Sequence, residues 1–176
     1  MAASESFNRI AHPVRSPGGI LQAKLSLQDR YAPNGVCFGC GPKNSGGLRI
    51  KSFPRGRFVV ASWTPMPHHI AFSNFASGGI ISVLLDCHGN WTAAYSLMKS
   101  RGLARPPGTV TAEYTVRFLK PTPIEGPLHL RAWPTKVEGN KVQVEGEVTV
   151  GEVPTATMTG TFVAVREGHP AFYRWH

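Results

Sequence analysis

The chain has 176 residues, with 19 Lys and Arg against 10 Asp and Glu and a formal charge of +9. That length predicts one ordinary domain, able to bury a core without disulfide or metal staples. An apolar fraction of 41% excludes a disordered chain, and Gly (19) with Pro (15) makes about a fifth of the residues, which favours a turn-rich, sheet-containing fold over a helix bundle.

In chain order, residues 1–34 read as a leader with a short helix between Ile20 and Tyr31, broken at Pro33-Asn34-Gly35. A loop dense in turn residues follows, Cys37-Phe38-Gly39-Cys40-Gly41-Pro42 through Gly47. Leu48–Phe53 and Arg57–Trp63 read as a strand hairpin, and Pro65–Ser77 as an irregular segment rich in rings. The period then changes. Ile80, Val83, Leu84, Cys87, Trp91, Ala94, Tyr95 and Met98 recur at helical spacing, predicting one long helix over Gly79–Ser100. Ile81 and Leu85 widen its apolar stripe, so it is expected to be buried on most sides.

The remainder reads as four strands. In Thr109–Leu119, Val110, Ala112, Tyr114, Val116 and Phe118 alternate with Thr111, Glu113, Thr115 and Arg117, which places Thr111 on the face opposite Tyr114. Leu128–Val137 contains Pro134, a sign of an edge or a bulge. Lys141–Val150 and Val153–Val165 complete the set, before a tail over 167–176 that carries Phe172, Tyr173 and Trp175. One helix followed by an antiparallel meander implies an α+β layout in which the sheet wraps the helix.

The basicity reflects scarce acids, since charged residues are only 16%. It is compatible with nucleic acid, anionic lipid or a polyanionic small molecule. Lys and Arg are scattered and no RNP-type motif occurs, so no nucleic-acid partner is expected. No window approaches the roughly 20 apolar residues of a membrane helix, and the first residues carry no apolar signal segment. A cytoplasmic protein without a membrane partner is expected.

Asp86 is the most informative residue. It lies mid-helix among Val83, Leu84, Leu85 and Cys87, where a carboxylate is costly to desolvate. It either faces a solvent notch, is met by Asn90 and Ser82 one turn away, or is a functional group. Gly78-Gly79 opens the helix, where first-turn amides have no intrahelical partner and suit an oxyanion or a carbonyl oxygen.

The run Ser77-Gly78-Gly79-Ile80-Ile81-Ser82-Val83-Leu84-Leu85-Asp86 resembles the His-Gly-Gly-x(4)-hydrophobic-x-Asp signature of the hotdog-fold acyl-CoA thioesterases, in their PaaI-like branch. The loop Cys37–Gly47 with Leu48, the strand ending Arg117-Phe118-Leu119-Lys120-Pro121, and the last strand Ala156–Val165 are also similar to that family, so the resemblance spans about residues 35–166. It implies a hotdog domain over 35–166, with an antiparallel sheet around one long central helix. It implies a homodimer, or a dimer of dimers, with active sites built at the interface. It further implies hydrolysis of an acyl-CoA thioester, CoA being part of the substrate and no cofactor being needed. Asp86 would be base or nucleophile, Gly78 and Gly79 would hold the thioester oxygen, and Thr111 would support the attacking water.

The motif's leading His is Ser77 here. Ser77 is expected to cap the helix or donate one hydrogen bond, with His69 and Asn74 compensating for the missing imidazole. The alternative is a non-catalytic acyl-CoA binder or sensor on the same fold. Phe72, Phe75, Trp91 and Tyr95 are expected to line the acyl pocket. Arg117, Lys120 and Arg49, with Arg101 and Arg105 after the helix, are the candidates for CoA phosphates.

Cys37-x-x-Cys40 invites a zinc reading. A structural site needs four ligands, and the sequence offers neither a second CxxC nor a His-x(3–5)-His pair, so no metal is expected. Cys87 reads as a small buried thiol.

Overall fold

In a computed structural model, residues 25–175 can be described. The leader's residues 1–24 lie outside them, as does the first part of the helix expected from Ile20. The described part of that helix is α1, Leu27–Tyr31, which starts where the Ser26 side chain accepts a hydrogen bond from the Asp29 amide.

The strands are β1 (Phe53–Arg55), β2 (Phe58–Trp63), β3 (Ile70–Phe72), β4 (Phe75–Ala76), β5 (Thr109–Phe118), β6 (Leu128–Glu138), β7 (Lys141–Val150) and β8 (Val153–Ala164), with the long helix α2 at Gly78–Ser100. Six of them form one antiparallel sheet in the order β1-β2-β6-β7-β8-β5, while β3 and β4 make a separate small hairpin. The sheet wraps α2, the arrangement expected from the order of elements.

Two expectations are corrected in the first half. Leu48–Ser52 alternates in burial as a strand would, but it does not pair with β2. Its amides instead reach the preceding loop, Leu48 N to Phe38 O at 2.8 Å and Ile50 N to Gly39 O at 3.0 Å. Arg49, at φ 48°, turns the chain out of extended geometry, so β1 begins only at Phe53. Pro65–Ser77, expected as irregular, contains the short 3-10 turn Pro67–His69 and the β3–β4 hairpin.

Helix α2 has no polar face over most of its length. Ile81, Leu84, Leu85, Trp91, Ala93, Ala94 and Leu97 are all essentially inaccessible. The sheet approaches so closely that a Cβ on Gly89 would lie 2.5 Å from Met158 Cε and 2.7 Å from Phe162 Cζ. The inward residues Val142, Val144 and Val148 of β7 and Ala156, Met158 and Phe162 of β8 complete this core.

A polar chain crosses the same core. His88 is fully buried, and its Nε2–H donates to Val59 O (3.0 Å). Nδ1 therefore accepts from the Ser52 hydroxyl (2.9 Å), whose oxygen accepts in turn from Gln28 Nε2 (2.9 Å). α1, the 48–52 segment, α2 and β2 are thus tied through one neutral imidazole. Burial pushes its pKa down to about 4 from 6.5.

Gly89→Ala is expected to lose about 1–3 kcal/mol of stability through overpacking, measured as a lower urea midpoint at unchanged m-value. A pH effect follows from His88. The unfolded chain takes up a proton below about pH 6.5 that the folded chain refuses until about pH 4. The stability from the neutral ring is therefore complete above that window and declines across it, by up to about 3 kcal/mol. Urea midpoints of wild type and His88→Gln should converge between pH 7 and about pH 4.5; curves that fall in parallel would contradict this.

Candidate functional site

Among the described residues, strand β5 is one of the two edges of the six-stranded sheet, and it carries one irregularity. Its register against β8 runs Thr109↔Ala164, Val110↔Val163 and Thr111↔Phe162, then resumes at Glu113↔Thr161 and Tyr114↔Gly160. Ala112 is the extra residue of a β-bulge. Opposed residues share a face, so Thr109 and Thr111 point inward with Ala164 and Phe162, and Tyr114, Val116 and Phe118 point inward after the bulge. The expectation that Thr111 faces away from Tyr114 is corrected, because strict alternation assumed an unbroken strand.

That shift delivers Thr111 to the helix. Its Oγ1–H donates to Asp86 Oδ1 at 2.6 Å. The same oxygen accepts from Asn90 Nδ2 at 3.4 Å, and Asn90 Oδ1 accepts from Thr109 Oγ1 at 2.7 Å. Asp86 is half-buried. Burial raises its pKa above the ordinary carboxylate value; the Thr111 hydrogen bond opposes this, the neighbouring Cys37 sulfur adds to it, and the Arg174 guanidinium opposes it. The reading in which Asn90 and Ser82 meet the carboxylate is corrected: Asn90 bonds Thr111, Ser82 Oγ donates to its own helix at Gly78 O (2.8 Å), and Thr111 supplies the partner of Asp86.

The start of α2 forms the second part. Ala76 N reaches Thr122 O and Ser77 N reaches His69 O, each at 2.8 Å, which fixes the entry of the chain. The ring of Phe118 covers Gly78 so closely that a Cβ there would lie 3.2 Å from Cζ. A cavity of about 360 Å³ opens at this end, lined by Phe72, Phe75, Gly78, Ile81, Phe118 and Lys120 among others. Of the four residues expected around the acyl chain, Phe72 and Phe75 line this cavity. Trp91 and Tyr95 do not: Trp91 is buried against Trp175 in a stacked pair (4.3 Å), and Tyr95 borders a separate cavity of about 680 Å³ beside α1 and β1.

The remaining candidates divide. Ser77 occupies the N-cap position, but its side chain makes no capping hydrogen bond, so the expected cap is corrected. His69 is buried between Trp63 and His68, with Nδ1 accepting from Met66 N at 2.9 Å. Burial, then the neighbouring His68, lower its pKa. Asn74 is exposed in the β3–β4 turn, where its amide approaches Glu125 Oε1 at 3.5 Å. Gly79 is exposed at the helix start and Lys120 at the cavity rim. Arg117 and Arg49 are exposed, with Arg117 opposite Thr157 on the outer face of β5. Arg101 and Arg105 are exposed, each with Nη2 donating to a backbone carbonyl, of Gly139 and Tyr31 respectively.

Two participants escaped the sequence reading. Arg174 donates from Nη1 to Thr109 O (2.8 Å) and brings a positive charge toward Asp86 from the C-terminal tail. The sequence offers Asn90 only as a partner for Asp86, whereas in the fold it orders Thr109 and Thr111. The aromatic tail was the available signal for the first, and its docking is explained by the Trp91–Trp175 stack.

Comparison with known proteins places this arrangement. A family model described as thioesterase superfamily matches residues 74–157. A thioesterase superfamily protein from Shewanella loihica is 31% identical, covering 66% of this chain and 91% of that one, with a TM-score of 0.58. The chain belongs to the thioesterase superfamily. Its fold is therefore the hotdog fold, and it is also seen in the Escherichia coli PaaI protein of the phenylacetic acid degradation operon (16% identity, 68% and 81% coverage, TM-score 0.57). A Streptococcus mutans protein solved bound to acetyl CoA is similar at 17% identity, 66% and 88% coverage and a TM-score of 0.55. At these last two identities the likeness is one of fold. No curated protein matches the chain.

Trp175→Ala should cost about 3 kcal/mol by emptying the space against Trp91, read as a lower urea midpoint. An unchanged midpoint would mean that the tail does not hold its place beside β5.

Proposed function

We propose that the chain hydrolyses acyl-CoA thioesters at a site shared between two copies. The observation that carries this reading is Asp86, a desolvated carboxylate oriented by Thr111 on the edge strand β5, on the same helix whose start holds the Gly78-Gly79 pair. Eight residues separate Gly78 from Asp86, or about 12 Å along the helix axis, too far for both to act on one carbonyl carbon within one chain.

A second copy removes that obstacle. Among the described residues, β5 has one side without a strand partner, and Tyr114 and Phe118 on it are exposed large apolar residues. If two β5 strands pair antiparallel about a two-fold axis at Thr115, Val116 stands opposite Tyr114 of the other copy and, with Ala112 again the extra residue, Phe118 stands opposite Thr111. Since Thr111 contacts Asp86 and Phe118 covers Gly78, the carboxylate of one chain then lies across a strand spacing of about 5 Å from the region of the other chain's helix start.

In this arrangement Asp86 takes a proton from a water held with Thr111, and the water attacks the thioester carbonyl; direct attack by the carboxylate is the variant of the same geometry. The oxyanion develops at the Gly78 and Gly79 amides, and collapse expels the CoA thiolate. Lys120 on the rim and the net positive charge suit a phosphate-bearing substrate. One observation favours a second reading, a non-catalytic acyl-CoA binder: Ser77 stands where the motif has His, and His69 is held in its own ring cluster.

Thiol release from a panel of acyl-CoAs separates the two. Asp86→Asn should lower kcat roughly 100- to 10,000-fold while the chain stays folded, and Thr111→Val should cost about tenfold, with Thr111→Ser retaining most activity. Equal release by wild type and Asp86→Asn, or binding without release, would overturn the enzyme reading.

A further inference from the structure

We propose that Cys37, Cys40 and Cys87 together bind a thiophilic d10 cation, with Zn²⁺ the ion their geometry fits, at the seam between the 37–47 loop and α2. The CxxC pair lacked further ligands in the sequence, but the fold supplies a third cysteine fifty residues away. The three sulfurs lie within 4.8 Å of one another, and all three are free thiols. Cys37 Sγ and Cys87 Sγ are 3.7 Å apart. A tetrahedral ion with metal–sulfur bonds of roughly 2.3 Å spaces its sulfurs about 3.8 Å apart.

The loop is shaped for this approach. The Gly41 amide closes the turn on Cys37 O at 2.8 Å, which brings the Cys40 sulfur back beside that of Cys37. Neither Gly39 nor Gly41 has room for a side chain. A Cβ on Gly39 would lie 2.4 Å from Cys87 Sγ, and one on Gly41 would lie 2.5 Å from Cys37 N. Trp91 Nε1–H donates to Cys40 Sγ at 3.3 Å, the kind of outer hydrogen bond that orients a metal-bound ligand.

Cys37 is half-buried while Cys40 and Cys87 are buried, so an ion enters past Cys37 and its fourth position is left to a water molecule. On binding, the ion gains three sulfur bonds and the thiol protons pass to solvent. The site clasps the loop to α2 one residue from Asp86. It does not depend on the thioester reading, and its test reads the metal and not turnover.

The full chain, stripped by a chelator under reducing conditions, is titrated with Zn²⁺ against a chromophoric competitor and, separately, with Co²⁺. One ion per chain and a thiolate-to-cobalt charge-transfer absorption are expected, with Cys37→Ala weakening Zn²⁺ binding on the order of 100-fold or more. Should that variant fail to fold, thiol labelling of the wild type decides, because bound zinc must slow the reaction of the cysteines. Failure of the wild type to take up one ion, equal affinity in a folded Cys37→Ala, or labelling unaffected by zinc would each overturn the proposal.

Discussion

A single helix enclosed by a sheet has almost no water-facing side, and this constraint governs the molecule. Each polar group on α2 has to find its partner inside the protein, because a buried unpaired group costs more than most side-chain contacts return. His88 finds Ser52 and the Val59 carbonyl, Asn90 finds Thr109 and Thr111, and Asp86 finds Thr111. The three residues lie within five positions of one another and are met from different sides of the enclosure. His88 and Asn90 are neutral groups that hold the architecture. Asp86 alone carries a charge, and it faces the sheet edge.

The position of that edge is what makes Asp86 useful. A regular β5 would turn Thr111 outward and leave the carboxylate facing apolar surface. The extra residue at Ala112 brings Thr109 and Thr111 inward without disturbing Val116 and Phe118 further along. One local irregularity therefore equips the helix with a hydroxyl partner at its middle and an aromatic cover at its start. It also leaves both ends of the proposed reaction centre on a strand with an open side, which connects the chemistry to self-association.

Much of the fold was legible because it follows from local periodicity. The span of α2, the strands β7 and β8 and the irregularity at Pro134 read directly from spacing and from proline chemistry. Where the reading went astray, a long-range contact had overridden a local pattern. Leu48–Ser52 alternates like a strand but bonds the Phe38–Gly39 loop. The bulge at Ala112 replaces no hydrophobic residue with a polar one, so the alternation concealed it. Asp86 and Gly78-Gly79 were legible as types, a carboxylate in apolar surroundings and a glycine pair at a helix start. Their partners were not, since Thr111, Arg174 and the meeting of Cys87 with Cys37 and Cys40 depend on segments distant in sequence.

The account turns on catalysis across two copies, and chain mixing tests it most directly. Asp86→Asn and Gly78→Val each disable one half of every site in a homodimer. Unfolding, mixing and refolding the two variants in equal amounts produces mixed dimers with one intact site. The account predicts that acyl-CoA hydrolysis, absent from either variant alone, returns to about a quarter of the wild-type rate. A mixture of folded, associating variants as inactive as its components would contradict it.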